Sequence, residues 1–251
     1  MEEGNIQSEE TDFDPRIRPG TGCVIVGSSG TGKSTLVLNL LRDGDYCFSF
    51  KPTEIIYIYS GTHQEKFKEF EGKIKFYSTW DSPDLDLEKL KKKKEIIFIV
   101  DDMYQKSVCP HDFIRLAFTQ YNHHLSWVFI LILHNLYTPE LHAARSINLN
   151  SQMTIFLSSP RSRDMVRTFA YQTHCENSHF FNEVYDHAVG DCPFGYLIYD
   201  SSVRCPTRLR LRTNVLKKEY PVIFFTPKRK SLDEHDPKKE KKRKKKKIAN
   251  G

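Results

Sequence analysis

The stretch Gly27-Ser-Ser-Gly-Thr-Gly-Lys-Ser-Thr35 constrains this chain more than any other. Gly27, Gly32, Lys33 and Ser34 fit the spacing G-x-x-x-x-G-K-[ST] of a phosphate-binding loop, or P-loop. In front of it, Cys23-Val-Ile-Val26 is a short apolar run suited to a buried parallel strand. Behind it, Thr35-Leu-Val-Leu-Asn-Leu-Leu-Arg42 is apolar at helical spacing and meets a stop at Asp43-Gly44. Strand, glycine-rich turn and helix are what the chemistry of such a loop requires. The glycines let the backbone wrap so that successive N–H groups point inward at an anion, and the helix start adds its positive dipole end. Residues Gly27, Ser28, Ser29, Gly30, Thr31, Gly32, Lys33, Ser34 and Thr35 are therefore the expected nucleotide cradle. Lys33 is expected to reach the β- and γ-phosphates, and the Ser34 hydroxyl to hold Mg²⁺.

A second anchor lies downstream. Ile96-Ile-Phe-Ile-Val100 is an apolar strand that ends in Asp101-Asp102. An acidic residue at the end of such a strand holds the Mg²⁺ shell opposite the P-loop serine, which assigns Asp101 with Ser34 to metal binding. Asp102, one residue on, can accept a proton from an attacking water, or can serve only as a helix or turn cap. Ser126–Leu133 is a further buried strand and leads into His134-Asn135. If that strand is inserted between the P-loop strand and the acidic strand, His134 and Asn135 face the γ-phosphate. An ordinary loop histidine is the competing reading of His134.

The net charge of +6 is not a property of the whole chain. Lys238–Lys247 alone carries eight lysines, one arginine and one glutamate, or +8, so everything else sums to −2. That run is too highly charged to fold and reads as a mobile polycation: an import signal first, then a sequence-blind DNA tether, or an aid to solubility alone. At the other end, the first 14 residues hold six carboxylates and no lysine or arginine. The expected organisation is thus a disordered acidic leader over residues 1–19, one P-loop ATPase domain over 20–227, and a lysine-rich tail over 228–251. The six cysteines stand singly; Cys175, Cys192 and Cys205 with His174 and His179 match no zinc-ligand spacing, and reduced thiols are expected. The longest apolar stretch, Trp127–Leu133, is too short to span a bilayer, and with no signal peptide an intracellular, soluble protein is expected.

Between the anchors, Glu54–Tyr59 and Lys73–Tyr77 read as strands and His63–Phe70 as a short helix. Ser82-Pro83-Asp84 predicts a capped helix running through Lys94, with lysines 91–94 as its solvated end. A helix is expected around His111–Tyr121, then a strand over Gln152–Leu157 and helices over Arg163–His174 and Ser178–Ala188. Gly195–Tyr199 and Tyr220–Phe225 are later strands. Arg208, Arg210 and Arg212 alternate, which on a strand puts three guanidinium groups on one face. The fold class that follows is α/β: a P-loop NTPase of the additional-strand, RecA-like kind, with a central mostly parallel sheet flanked by helices.

Several segments together resemble one family. Beside the P-loop and Ile97-Phe-Ile-Val-Asp-Asp102 stand His123-His-Leu-Ser126, Leu133-His-Asn-Leu136 and Arg145-Ser-Ile-Asn-Leu-Asn150. Ser159-Pro-Arg161 with Asp164, Phe194-Gly-Tyr-Leu-Ile198 and Leu211-Arg-Thr-Asn214 complete the set. In this order they resemble the genome-packaging ATPases of large and midsize eukaryotic DNA viruses and Maverick/Polinton elements. These form a branch of the FtsK/HerA superfamily related to the poxvirus packaging ATPase. The resemblance implies ATP hydrolysis with Mg²⁺ that drives double-stranded DNA into a capsid. It also implies a homo-oligomeric ring, a viral capsid or portal partner, no membrane, and work in the host nucleus, at a viral assembly site or with the virion. It implies Lys33, Asp102, His134 and Asn135 as catalytic residues, and Arg145 as a finger reaching a neighbour's γ-phosphate.

Two positions depart from the family pattern. The superfamily at large has Asp-Glu where this chain has Asp101-Asp102, and the family usually has Gln where His134 stands. Either change is expected to slow turnover without preventing binding. Two other readings of the P-loop stay open: an ATP-gated DNA or capsid adaptor with little hydrolysis, and a nucleotide kinase with arginines of the 161–167 stretch as its lid. A GTPase is disfavoured, because no N-K-x-D guanine-reading motif occurs.

Overall fold

A computed structural model describes residues 13–61, 65–105, 107–110, 112–141, 144–159, 162–173, 177–190 and 192–225. The lysine-rich tail and residues 1–12 of the leader lie outside the described residues. Residues 13–19, assigned to the leader from sequence, are folded onto the body. Ile17 is buried, its N–H donates to the Cys47 carbonyl at 2.8 Å, and its carbonyl accepts from the Ser49 N–H at 2.9 Å.

The strands are β1 (Gly22–Val26), β2 (Glu54–Tyr59), β3 (Lys75–Tyr77), β4 (Ile96–Asp101), β5 (Val128–Leu133), β6 (Met153–Leu157), β7 (Tyr196–Asp200), β8 (Leu211–Thr213) and β9 (Val222–Phe224). The helices are α1 (Lys33–Arg42), α2 (Gly44–Cys47), α3 (Leu87–Leu90), α4 (Phe113–Leu116), α5 (Asn122–Leu125), α6 (Ala144–Asn150), α7 (Arg163–Thr173) and α8 (Ser178–Val189). A 3₁₀ helix spans Glu65–Phe70, and a π-helical turn over Ala117–Tyr121 joins α4 to α5.

Among the described residues the strands form one nine-stranded sheet in the order β3-β2-β4-β5-β1-β6-β7-β8-β9. The six strands from β3 to β6 are parallel, and the last three continue antiparallel. Strands β1, β4, β5 and β6 are buried along their whole length, which is why they read as unbroken apolar runs rather than alternating ones. Their side chains still alternate between two cores. Val24 and Val26 join Phe98, Phe129 and Phe156 under α4 to α8, whereas Cys23 and Ile25 join Ile130, Ile132 and the α1 residues Leu36, Val37 and Leu40. β5 lies between β1 and β4, the inserted position that the site reading needs.

Gly22 is the closest approach between the layers. A methyl group there would stand 2.7 Å from a ring carbon of Phe118, so only glycine lets the π-helical turn rest on β1.

Two sequence expectations are corrected. The helix predicted from Ser82 to Lys94 is reduced to α3. The Leu85 N–H closes a turn onto the Ser82 carbonyl at 3.0 Å, and the cap is Asp86, whose carboxylate accepts the Lys89 N–H at 2.9 Å. Beyond Leu90 the Lys93 carbonyl accepts the Trp127 indole N–H at 3.0 Å, and Glu95 turns left-handed at φ 58°, so the backbone leaves the helical path. The alternating arginines do not form a row on one face either. Thr207–Leu209 is a 3₁₀ turn and only Arg212 lies on β8, where it is buried and paired with Asp200 at 2.8 Å. Among the described residues no group of three or more His, Cys, Asp or Glu could hold a metal ion; His174 and Cys175 lie outside them. No helix among them is long and apolar enough to cross a membrane.

Candidate active site

The P-loop leaves the C-terminal end of β1 and enters α1 through Gly32, whose φ of 91° is left-handed. Gly30, at φ 78°, makes the same demand two residues earlier. The turn is braced from within, with the Thr31 hydroxyl donating to the Ser28 carbonyl at 2.9 Å. It is also tied to the far side, since the Ser28 and Ser159 hydroxyls lie 2.5 Å apart and link the loop to the segment after β6.

Lys33 is buried and its ammonium turns back into the loop. Nζ donates to the carbonyls of Gly27 at 2.8 Å and Ser28 at 3.0 Å, and lies 3.3 Å from His134 Nδ1. Burial pulls its pKa down, while the carboxylates of Asp102 and Asp101 oppose that shift. One residue further along α1, the Ser34 hydroxyl donates to Asp101 Oδ2 at 2.6 Å. The same oxygen accepts the buried Tyr57 hydroxyl at 2.7 Å, and burial together with the Asp101 charge pushes the Tyr57 phenol well above its usual range. Tyr57, on β2, thus fixes the orientation of the acidic strand's last carboxylate.

Asp102 departs from strand geometry, with φ 58°. Its Oδ2 lies 3.0 Å from His134 Nε2, while Oδ1 is buried and has no hydrogen-bond partner among the described residues. Burial raises its pKa and Asp101 adds to the rise, against the opposing influence of His134 and Lys33. Asp102 makes no capping hydrogen bond among the described residues and faces the P-loop lysine instead. His134 bridges the two. Its Nδ1 is the ring atom beside Lys33, which can only donate, and its Nε2 the atom beside Asp102.

The remaining expected residues stand apart from this cluster. Asn135 is exposed, and its Oδ1 accepts the Tyr137 N–H at 2.9 Å, bracing the turn after β5. Arg145 is exposed on α6 and, among the described residues, makes no hydrogen bond or ion pair. Three contributors were not anticipated. Ser159 and Tyr57 hold the loop and Asp101, and Lys66 on the 3₁₀ helix is half-buried within the field of Asp101, burial lowering its pKa. Only Ser159 belonged to a quoted motif, and neither Tyr57 nor Lys66 carries any spacing signal.

The donor set suits a small hard cation: one hydroxyl, Ser34, and two carboxylates, Asp101 and Asp102, of which one buried oxygen is unmatched. These residues fit Mg²⁺, with Ser34 and Asp101 as its holders.

No protein-family model matches the sequence, and no curated protein matches it. Among solved structures it is similar to the genome packaging NTPase B204 from Sulfolobus turreted icosahedral virus 2. The ATPγS complex of that protein aligns with a TM-score of 0.51 and 16% identity, over 82% of this chain and 100% of that one. Its AMPPCP complex aligns with a TM-score of 0.50 and 16% identity over the same shares. The chain has the P-loop NTPase fold, a mostly parallel sheet with an inserted strand and helices on both faces.

Proposed function

We propose that the protein is an ATP-hydrolysing double-stranded DNA translocase that packages a viral genome into a capsid. The branch we assign is that of the Maverick/Polinton and poxvirus packaging ATPases in the FtsK/HerA superfamily. One observation carries the enzymatic part: Ser34 meets Asp101 at 2.6 Å while the neighbouring Asp102 keeps a buried carboxylate oxygen unmatched. A partly buried carboxylate with one oxygen left unmatched is what a water-activating base needs, and its raised pKa favours proton uptake.

In this reading the P-loop N–H groups and Lys33 hold the phosphates, Lys33 exchanging its carbonyl partners for phosphate oxygens. Ser34 and Asp101 hold Mg²⁺, which supplies neutralisation of charge on the β- and γ-oxygens when bound. Asp102 takes the proton from the attacking water, and His134 keeps its carboxylate turned toward the loop. Support for the packaging role comes from the order of motifs from Gly27 to Asn214 and from the fold likeness to a genome packaging NTPase, itself solved with ATPγS and AMPPCP. The assembly proposed with it is a head-to-tail homo-oligomeric ring around DNA, docked on a capsid or portal protein, at a nuclear or viral assembly site. Arg145, exposed and without partners among the described residues, is then free to reach a neighbouring subunit's γ-phosphate.

The test is phosphate release from ATP with and without linear duplex DNA. DNA-stimulated release of inorganic phosphate is the expected result. Transfer of phosphate to a small molecule would make the protein a kinase, and tight ATP binding with no turnover would make it an adaptor.

A further inference from the structure

A cavity of about 200 Å³ opens beside the P-loop, with Gly32 in its lining and neither Asp101 nor His134. Thr35, Leu36 and Asn39 line it from α1, with Leu157 at the end of β6 behind them. Thr35 is the last residue of the phosphate cradle, so the cavity begins where a bound nucleotide's phosphates would end. Leu36, Leu157 and Leu216 make its walls apolar, and its size suits a heterocycle rather than a whole nucleotide.

Two side chains in it keep a free face or a free atom toward the cavity. Phe194 lies against the loop so closely that a methyl group on Gly32 would stand 3.0 Å from its Cδ1, yet the ring is 64% exposed. A large aromatic held against a phosphate loop with a free face is a stacking surface. Glu219 is the second. Its Oε2 accepts the Tyr196 hydroxyl at 2.5 Å and the Leu216 N–H at 3.0 Å, which locks the carboxylate in place. Its Oε1 has no hydrogen bond among the described residues and is the one anionic acceptor in the cavity lining.

We infer that this cavity is the base subsite of the nucleotide site and takes an adenine, with Phe194 stacked on the ring and Glu219 accepting from its exocyclic amine. The inference rests on the nucleotide-binding reading above and deepens it. Adenine offers one amino group, whose N–H one free carboxylate oxygen accepts, and beside it a ring acceptor that needs a separate donor. Guanine would present O6, an acceptor, to the same oxygen, or a double donor edge that calls for both carboxylate oxygens. Oε2 already accepts two hydrogen bonds. Asn39 Oδ1 accepts from the Arg42 guanidinium, so the amide hydrogens of Asn39 are what it can offer a ring nitrogen.

Equilibrium binding of ATP, GTP and inorganic tripolyphosphate to the full chain, with Mg²⁺, tests this directly. The parent is expected to bind ATP more tightly than GTP or tripolyphosphate. Phe194→Ala is expected to weaken ATP by about 5- to 100-fold, the loss of one base–aromatic stack, and to leave tripolyphosphate unchanged. Glu219→Gln is expected to lower the ATP-over-GTP preference about tenfold, again with tripolyphosphate affinity intact as the check on folding. Equal ATP and tripolyphosphate affinities in the parent, or a Phe194→Ala loss shared by both ligands, overturn the base subsite while leaving the phosphate site standing. A Glu219→Gln variant with the parent's preference overturns Glu219 as the reader. Failure of the parent to bind tripolyphosphate or ATP at all removes the nucleotide-binding reading itself.

Discussion

The two halves of the sheet bury charge in opposite ways. In the parallel half, Lys33 and Asp102 are drawn out of water at the strand ends, yet Lys33 is held by loop carbonyls and Asp102 keeps one oxygen unmatched. In the antiparallel half, Arg212 and Asp200 are more deeply buried and pair with one another, the Arg212 Nε alone being left without a hydrogen-bond partner among the described residues. Their contact is 2.8 Å, Arg212 also donates to the Leu209 carbonyl at 3.3 Å, and its guanidinium lies 5.2 Å from the Phe13 ring centre. A buried charge that has found its partner inside the fold serves the fold. One left short of partners is disposed to take them from a ligand. By this criterion the third arginine of the alternating run, held by its ion pair, belongs to structure, and Asp102 to chemistry.

The contrast can be broken most severely at Lys33. Lys33→Ala is expected to reduce nucleotide turnover to background in a phosphate-release assay, while the thermal midpoint stays near the parent's, because the ammonium holds only two loop carbonyls and the exposed His134 ring. Hydrolysis at the parent's rate would remove the P-loop assignment. The next effect is at the acidic pair. Asp102→Asn is expected to cut hydrolysis by about 10²–10⁴-fold with nucleotide affinity kept, whereas Asp101→Asn weakens Mg²⁺-nucleotide binding. Equal affinity losses in both variants would erase the distinction between base and metal holder.

At the other end of the sheet the expected damage is to folding alone. Arg212→Met leaves Asp200 buried without its partner and is expected to cost about 3–5 kcal/mol in chemical denaturation. Joining it to Asp200→Leu should recover most of that loss, since no uncompensated charge remains. A single variant as stable as the parent would show the pair to be wet rather than buried.

The smallest effect sharpens the comparison through pH. Burial raises the Asp102 pKa in the folded chain above the ordinary value of 3.8, so the folded state binds the proton more readily than the unfolded one. The ionised carboxylate therefore opposes folding at neutral pH, and that opposition fades as pH falls through the raised folded value to below 3.8. Asp102→Asn should accordingly raise the thermal midpoint of the nucleotide-free protein slightly at pH 7 and not at all below pH 3.8. A midpoint lowered at pH 7 would mean that the carboxylate is structural.

Much of the parallel half was legible in the sequence because its signals are local. The P-loop spacing and the unbroken apolar runs of β1, β4 and β5 each declare themselves within ten residues, and Asp101 and Asp102 follow from where a run ends. His134 was legible as a position, but its bridge between Lys33 and Asp102 depends on three strands meeting side by side. Tyr57 reads as one more apolar strand residue, and only the sheet order β2-β4 brings its hydroxyl onto Asp101. Around Ser82 the local signal misled, since Pro83 and the lysine run favour a helix end-to-end while the Lys93 carbonyl is claimed by Trp127, far along the chain. The arginine alternation failed for the same reason: a strand was assumed where Cys205, Pro206 and the 3₁₀ turn fold the chain back, so that Arg212 points inward. Phe194 was noted within a motif, but its place against Gly32 is a contact between residues 162 positions apart.

The left-handed backbone of Asp102 has a consequence for descent. Among residues with a side chain, Asp and Asn enter that conformation most readily, and others incur about 1–2 kcal/mol. A lineage that keeps this bend after β4 incurs that cost if it lengthens the carboxylate to Glu, as Glu95 already does elsewhere in the chain at φ 58°. His134 already stands within 3.0 Å of the short side chain and meets it where a longer one would reach forward unaided. Loop shape, acid and histidine would then be inherited as one unit, and a chimera that exchanges any one of the three alone should be less fit than either parent.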